Sequence, residues 1–183
     1  MDQRKLSLKL VAPSRKWGKE LYTYRDEMVA NGEKVLNGCG GLERYNQLDD
    51  WLDHLQSYAC REKIDPSTKY VEGSQLLLVD EAETRIYGMM NLRHYLNDRL
   101  LQTSGHIGYS IRPSERKRGY GIIQLHLGLK KLADLGVKKA LVTCGNDNFA
   151  SSKTIESCGG ILENCIMDEE ENRLTRRYWI QVK

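Results

Sequence analysis

A single phenylalanine, Phe149, stands in the whole chain. Surfaces that read single-stranded RNA stack bases on several aromatics, so this scarcity argues against such a surface. Also missing is any apolar run near the roughly 20 residues that span a bilayer. The opening residues, Met1-Asp2-Gln3-Arg4-Lys5, lack the apolar segment and small-residue site of a signal peptide. The five cysteines (Cys39, Cys60, Cys144, Cys158 and Cys165) include no pair at metal-ligand spacing, and an odd number suits reduced thiols in a cytosol. Charge of one sign is in short supply as well, because a net +3 is too small to argue for nucleic acid. The expectation is a cytoplasmic protein with no metal, no nucleic-acid partner and no membrane partner.

What is present suits one α/β domain over residues 1–183, long enough to bury a core, with 29% charged and 40% hydrophobic residues. Leu6 to Val11 alternates apolar and charged residues and stops at Pro13, which predicts a first strand. Ser14 is placed to cap a helix with Trp17, Leu21, Tyr24 and Met28 on one face. After the loop Asn37-Gly38-Cys39-Gly40-Gly41, a second helix turns Leu48, Trp51, Leu52, Leu55 and Tyr58 inward and Asp49, Asp50 and Asp53 outward. Strands follow at Gln75–Val79, Arg85–Leu96 and Gly105–Ile111, the first two joined by a hairpin at Glu81–Thr84. A helix from Ile122 to Leu135, with Ile122, Leu125, Leu129 and Leu132 on one face, closes at Gly136, a residue suited to a left-handed C-cap. Then come a strand at Lys139–Cys144, a short helix at Asn148–Ser157 and two strands, Ile161–Ile166 and Arg176–Val182, around the acidic turn Asp168–Glu171. The order β-α-α-β-β-β-α-β-α-β-β predicts a mixed sheet of six to seven strands with helices on both faces.

The stretch Arg116-Lys117-Arg118-Gly119-Tyr120-Gly121 leads into the third of these helices. Two glycines two apart allow a tight turn with exposed amides, and three cations precede them. Orphan amides and the helix dipole both favour an anion there, so the turn is a phosphate site. A dinucleotide fold needs a third glycine where Gln124 stands, and a P-loop needs Gly-Lys-Ser or Gly-Lys-Thr, which is absent. Arg118-Gly119-Tyr120-Gly121 also opens like a ribonucleoprotein signature, but Ile122 and Leu125 hold its aromatic positions and the period is helical.

Arg116, Gly119 and Gly121 match the glycine signature of the GNAT superfamily of acyl-CoA N-acyltransferases, and the element order resembles that family over nearly the whole chain. A second match is Asn148-Phe149-Ala150-Ser151-Ser152-Lys153-Thr154-Ile155 followed by Gly159, similar to the family's Asn-capped helix. Asn91-Leu92-Arg93-His94, Ile107–Ser114 and Tyr178-Trp179-Ile180 look closest to an uncharacterised subgroup of predicted acetyltransferases.

The resemblance implies transfer of an acetyl group from acetyl-CoA to a primary amine, of a small molecule or a peptide, by direct attack. It places the CoA pyrophosphate on the amides and cations of Arg116, Lys117, Arg118, Gly119, Tyr120 and Gly121. It sets the pantetheine arm along the strand ending at Ile111, with an oxyanion donor among the amides from Tyr109 to Ile111, and brings Asn148 and Ser151 to the same arm. For the cations a solvated loop is the plain reading, and for Asn148 and Ser151 a simple N-cap. The family's tyrosine acid would fall on Ile155 and its glutamate base on Gly105, so both are missing. His94 and His106 remain as titratable candidates for catalysis, and strand alternation sets His106 on the face opposite Ile111 unless a bulge intervenes. Cys144 as a nucleophile is weighed against a small buried hydrophobe. Asp49, Asp50, Asp53 and the Asp168–Glu171 turn suit a cationic amine acceptor. A CoA-binding or regulatory module without catalysis is the alternative, and either a monomer or a homodimer fits.

Overall fold

The computed structural model describes residues 7–183. Seven strands form one sheet: β1 (Leu8–Val11), β2 (Gly73–Asp80), β3 (Ile86–Arg93), β4 (Ile107–Ile111), β5 (Lys139–Gly145), β6 (Ile161–Asp168) and β7 (Arg173–Gln181), in the spatial order β1-β2-β3-β4-β5-β7-β6. Four helices accompany it: α1 (Gly18–Ala30), α2 (Leu48–Ser57), α3 (Tyr120–Asp134) and α4 (Phe149–Ser157). None is long and apolar enough among the described residues to cross a membrane.

The sheet is buried on both faces at its centre, and neighbouring residues go to opposite cores as strand alternation requires. Met89 and Leu77 pack with Leu21, Tyr24 and Met28 of α1 and Trp51 and Leu55 of α2. Met90 and Leu76 pack on the other face with Leu125, Leu129 and Leu132 of α3 and Ile155 of α4. The three leucines of α3 recur at spacings of four and three, so the helix buries one stripe. Their burial contributes roughly 5–9 kcal/mol before ordering costs.

The predicted element order is found complete, with shifted ends. Leu6 lies outside the described residues. Ser14 makes no side-chain cap; its carbonyl instead accepts from Trp17 N at 3.0 Å in a 3₁₀ turn. The third strand ends at Arg93 rather than Leu96, and Gly105 lies outside β4 because its φ of +64° is not that of a strand. A π turn over Leu100–Ser104, whose period no apolar pattern announces, fills the gap before β4.

One pairing differs in kind from the rest. β4 and β5 are parallel and joined at a single register pair, Ile107↔Val142, supported by His106 N donating to Leu141 O at 2.7 Å. Beyond it the two strands part. On its other side β4 stays in constant register with β3 from Leu92↔Ile107 to Gly88↔Ile111, so no bulge interrupts its alternation.

Candidate active site

The fork between β4 and β5 has a defined hydrogen-bonding edge. Arg93 N donates to His106 O (2.8 Å) and Arg112 N donates to Tyr87 O (2.9 Å). These bonds flank the pairs Leu92↔Ile107 and Gly88↔Ile111, which makes both pairs non-hydrogen-bonded. The N–H and C=O groups of Ile107, Tyr109 and Ile111 therefore face β5, and past Ile107 that neighbour has moved away.

Three connected clefts meet at this edge. A groove of about 600 Å³ runs from Lys117, Gly119 and Gly121 along Ile111 and Tyr109 to Asn148, Ser151 and Thr154. It opens on an inner chamber of about 180 Å³ between the parted strands, lined by Gly108, Tyr109, Thr143, Cys144 and Ser151. A third chamber of about 270 Å³ continues beneath the α1–α2 loop, past Tyr58, Tyr70 and Arg93. Asn37 lines all three.

The loop that carries Asn37 is seated on β4 by Gly38. Gly38 has φ +74°, and a Cβ there would stand 2.6 Å from Gly108 O and Tyr109 Cα. Gln75 Nε2 holds its carbonyl at 2.7 Å, and Trp51 Nε1 donates to the carbonyls of Cys39 (3.2 Å) and Gly40 (3.1 Å). Beneath it Ser110 Oγ meets Tyr24 OH at 3.1 Å and Cys39 Sγ at 3.5 Å. Burial pushes the Cys39 thiol up to about 12, so it is a neutral packing group.

At the groove's other end the turn residues divide. Gly119 takes φ +81° as the N-cap of α3, the left-handed backbone that its missing Cβ permits. Gly121 would place a Cβ only 3.5 Å from Thr154, in ordinary contact. Arg116 donates from Nε to Ile111 O (2.9 Å) and pairs with Glu33, while Arg118 lies 3.3 Å from Glu115. Lys117 has no ion-pair partner among the described residues. Asn148 caps α4 by accepting from Ser151 N at 3.0 Å. Ser151 Oγ is 2.9 Å from the hydroxyl of Tyr109, whose pKa burial raises to about 12.

Neither His94 nor His106 lines these clefts, although His54 lines the third chamber. His106 is 6% exposed, and its Nδ1 accepts from Leu141 N at 3.0 Å, which makes it the Nε2–H tautomer. Burial, with the Leu141 bond opposing it and Arg93 adding to it, brings its pKa down to about 4. His94 bonds Ser74 Oγ at 2.8 Å, with Glu72 at 3.8 Å. Cys144 does line the inner chamber, but burial raises its thiol, which disfavours the thiolate a nucleophile needs. Ile155 is fully buried, so that position of α4 offers nothing to the groove. Three of the seven acids expected to draw a cation are engaged, while Glu171 lines the inner chamber with no ion-pair partner among the described residues. Asp49 pairs with Arg15, Asp168 accepts from its own turn's Glu170 and Glu171 amides, and Glu170 pairs with Arg99 and Lys69.

A forked parallel pair beside a glycine turn that opens a helix matches a known architecture. The Acetyltransferase (GNAT) domain model matches residues 27–161. The chain belongs to the GNAT acetyltransferases. No curated protein matches this GNAT chain by sequence. Among solved structures it is similar to the microcin C7 self-immunity acetyltransferase MccE in complex with acetyl-CoA and AMP, at 19% identity and TM-score 0.68, over 96% of this chain and 92% of that one. It is similar to RimL, a ribosomal L7/L12 α-N-protein acetyltransferase in complex with coenzyme A, at 16% identity and TM-score 0.71, over 96% and 94%. A variant of the spermidine N-acetyltransferase SpeG from Vibrio cholerae aligns at 16% identity and TM-score 0.64, over 95% and 93%. At these identities the likeness is one of fold.

Sequence reading of this GNAT domain missed Asn37, Arg93 and the phenol of Tyr109. Asn37 sits in a segment whose composition announces only a flexible loop, and Arg93 reads as one residue inside the expected Arg85–Leu96 strand. Tyr109 was expected to act through its amide, and nothing local shows that its hydroxyl reaches α4.

Proposed function

We propose that the chain, acting as one acetyltransferase domain, transfers an acetyl group from acetyl-CoA to a primary amine by direct attack. The fork carries this reading: it leaves the backbone edge of Tyr109 and Ile111 unpaired by β5, in a groove continuous with the α3 turn. The amides of Gly119 to Gly121 and the Lys117 ammonium would hold the pyrophosphate, since helix N-termini favour anions. The pantetheine would pair with the edge of β4, and the thioester would lie at Tyr109, whose N–H is the donor to its oxyanion. A neutral amine in the inner chamber attacks the carbonyl carbon. The C–N bond forms, the C–S bond breaks, and the ammonium proton passes to solvent. The Tyr109 hydroxyl, protonated at neutral pH and paired with Ser151, donates a hydrogen bond to the departing sulfur. His94 and His106 have no part in this account, because they lie outside the clefts.

A side chain at Gly121 would stand in the groove against Thr154, at ordinary contact distance. Gly121→Val should fold normally and weaken CoA binding at least tenfold, a loss of about 1.4 kcal/mol, by calorimetric titration. Unchanged affinity would remove the pyrophosphate from this turn. Tyr109→Phe should keep CoA affinity and lower kcat by about 10- to 100-fold, the range of a lost catalytic proton or hydrogen-bond donor. An unchanged kcat would remove that role from the phenol.

A CoA-binding module without turnover is favoured over the enzyme by one observation: no histidine or carboxylate stands in the place of the family's missing base, at Gly105. Acetyl-CoA binding without amine acetylation distinguishes the two.

A further inference from the structure

The acceptor side of the site holds a cation with no ion-pair partner among the described residues. Arg93, at the end of β3, lines both the inner and the third chamber. Its Nη1 is fixed by the carbonyls of Ser104 (3.3 Å) and Gly105 (3.1 Å). The left-handed backbone of Gly105, φ +64°, turns the chain from the π turn into β4 at this point. Nη2 lies 3.6 Å from where a Cβ on Gly108 would stand, one residue from the Tyr109 amide, and has no hydrogen-bond partner among the described residues.

No carboxylate among the described residues lies within ion-pair distance of Arg93. Of the nearby acids, Glu170 takes Arg99 and Lys69, Asp168 closes its own turn, and Glu43 sits 3.8 Å from Arg44; Glu171 lines the inner chamber unpaired, but not within ion-pair distance of Arg93. Burial, with Arg99 adding to it, pulls the Arg93 guanidinium down to about 10, the mark of a cation lacking compensation. A guanidinium so placed, with one edge anchored and the other open, is suited to a planar carboxylate.

We infer that the acceptor is an amine bearing a carboxylate close to its nitrogen, an α-amino acid or similar compound, with the carboxylate on Arg93. This rests on the transferase reading above and names the substrate class of that same site. In an α-amino acid the nitrogen and the carboxylate carbon are two bonds apart. That short spacing would let the nitrogen attack a thioester held at Tyr109 while the carboxylate lies beside Gly108. The third chamber, walled by Tyr58, Tyr70 and Leu100, receives the side chain. A cation beside the amine also disfavours its ammonium form, which favours the neutral nucleophile. The cationic amine expected from the acidic turn is the poorer fit, because its charge would meet that of Arg93.

The test offers the protein acetyl-CoA and the proteinogenic L-amino acids, each as the free acid and as its α-carboxamide, with CoA release as the readout. The best acid should exceed its amide in kcat/KM by about 10- to 100-fold, the range expected for one charge-assisted bidentate contact. Arg93→Gln should erase that difference while leaving CoA affinity unchanged, and Arg93→Lys should restore part of it. Amides turned over as well as acids would overturn the inference and leave the transferase reading intact. So would an Arg93→Gln that lowers kcat equally on both series, since that is the behaviour of an oxyanion donor. If no amine is acetylated, the transferase reading fails instead. The inference is then read from binding of N-acetyl-amino acids and their amides to the CoA-loaded protein by thermal shift. The acids should bind at least tenfold more tightly (about 1.4 kcal/mol), and equal binding would overturn it.

Discussion

Gly38→Ala should lower stability by about 2–5 kcal/mol and kcat/KM by about 100-fold. Two terms add. A left-handed backbone costs an L-residue roughly 1–2 kcal/mol, and Gly38 stands at φ +74°. The new Cβ would also lie 2.6 Å from Gly108 O and 2.7 Å from Tyr109 N. These are main-chain atoms in the middle of β4, so no rotamer change relieves the contact; overpacking of this kind costs about 1–3 kcal/mol. The strand must shift, and with it the amide proposed to face the oxyanion. A displacement near 1 Å in such a group costs on the order of 100-fold in rate. Gly32 provides the control: its φ is +89° and its Cβ would meet nothing within 4 Å. Gly32→Ala should show the backbone cost alone and full activity. Equal destabilisation of the two variants, measured by urea unfolding, would contradict the close approach of the loop to β4.

The second large effect is on acid stability. His106 has its pKa lowered from 6.5 to about 4 by burial, opposed by its bond from Leu141 N. Above about pH 6.5 the ring is neutral in both the folded and the unfolded chain, so its full native contribution is present. As pH falls below 6.5 the unfolded chain takes up a proton that the folded chain refuses, and stability declines until about pH 4. The loss reaches roughly 2–3 kcal/mol across that window. His54 is lowered in the same sense by burial and Arg44, so the comparison must be with a variant. His106→Asn keeps an acceptor for Leu141 N without a titrating ring. It should flatten the slope of stability against pH between 6.5 and 5, whatever it costs in absolute stability. Matching slopes in the two proteins would show that the ring is not held neutral. Below about pH 4.5 carboxylates take over. In Glu27 burial is outweighed by the bonds from Ser114 and the charge of Arg112, so its pKa is depressed. Its contribution is lost as pH falls through that lowered value.

The difference between the legible and the illegible parts of this chain is one of range. The α3 stripe Leu125, Leu129, Leu132 and the Asn148 cap are local patterns whose cause lies within one turn of helix, and both stand where periodicity and spacing put them. The turn from Arg116 to Gly121 was equally local, yet the individual cations were not: Arg116 and Arg118 are held by Glu33 and Glu115, and only the fold brings Glu33 there. The fork is a relation between two strands separated by a helix, and nothing in β4 or β5 alone announces it. His106 was singled out for its reference pKa, but packing against β5 decides its protonation. Arg93 owes its prominence to having no carboxylate within ion-pair distance among the described residues, and sequence spacing does not reveal which acids the fold brings near it.

The central claim is acetyl transfer to nitrogen in the forked site, and product analysis tests it most directly. The protein is incubated with acetyl-CoA and a broad panel of primary amines, including free amino acids, peptides and polyamines, and the mixture is read by mass spectrometry. The account predicts an acetamide on at least one amine, formed with stoichiometric release of CoA and formed far more slowly by Gly38→Ala. Saturable binding of acetyl-CoA with every amine recovered unmodified would contradict it.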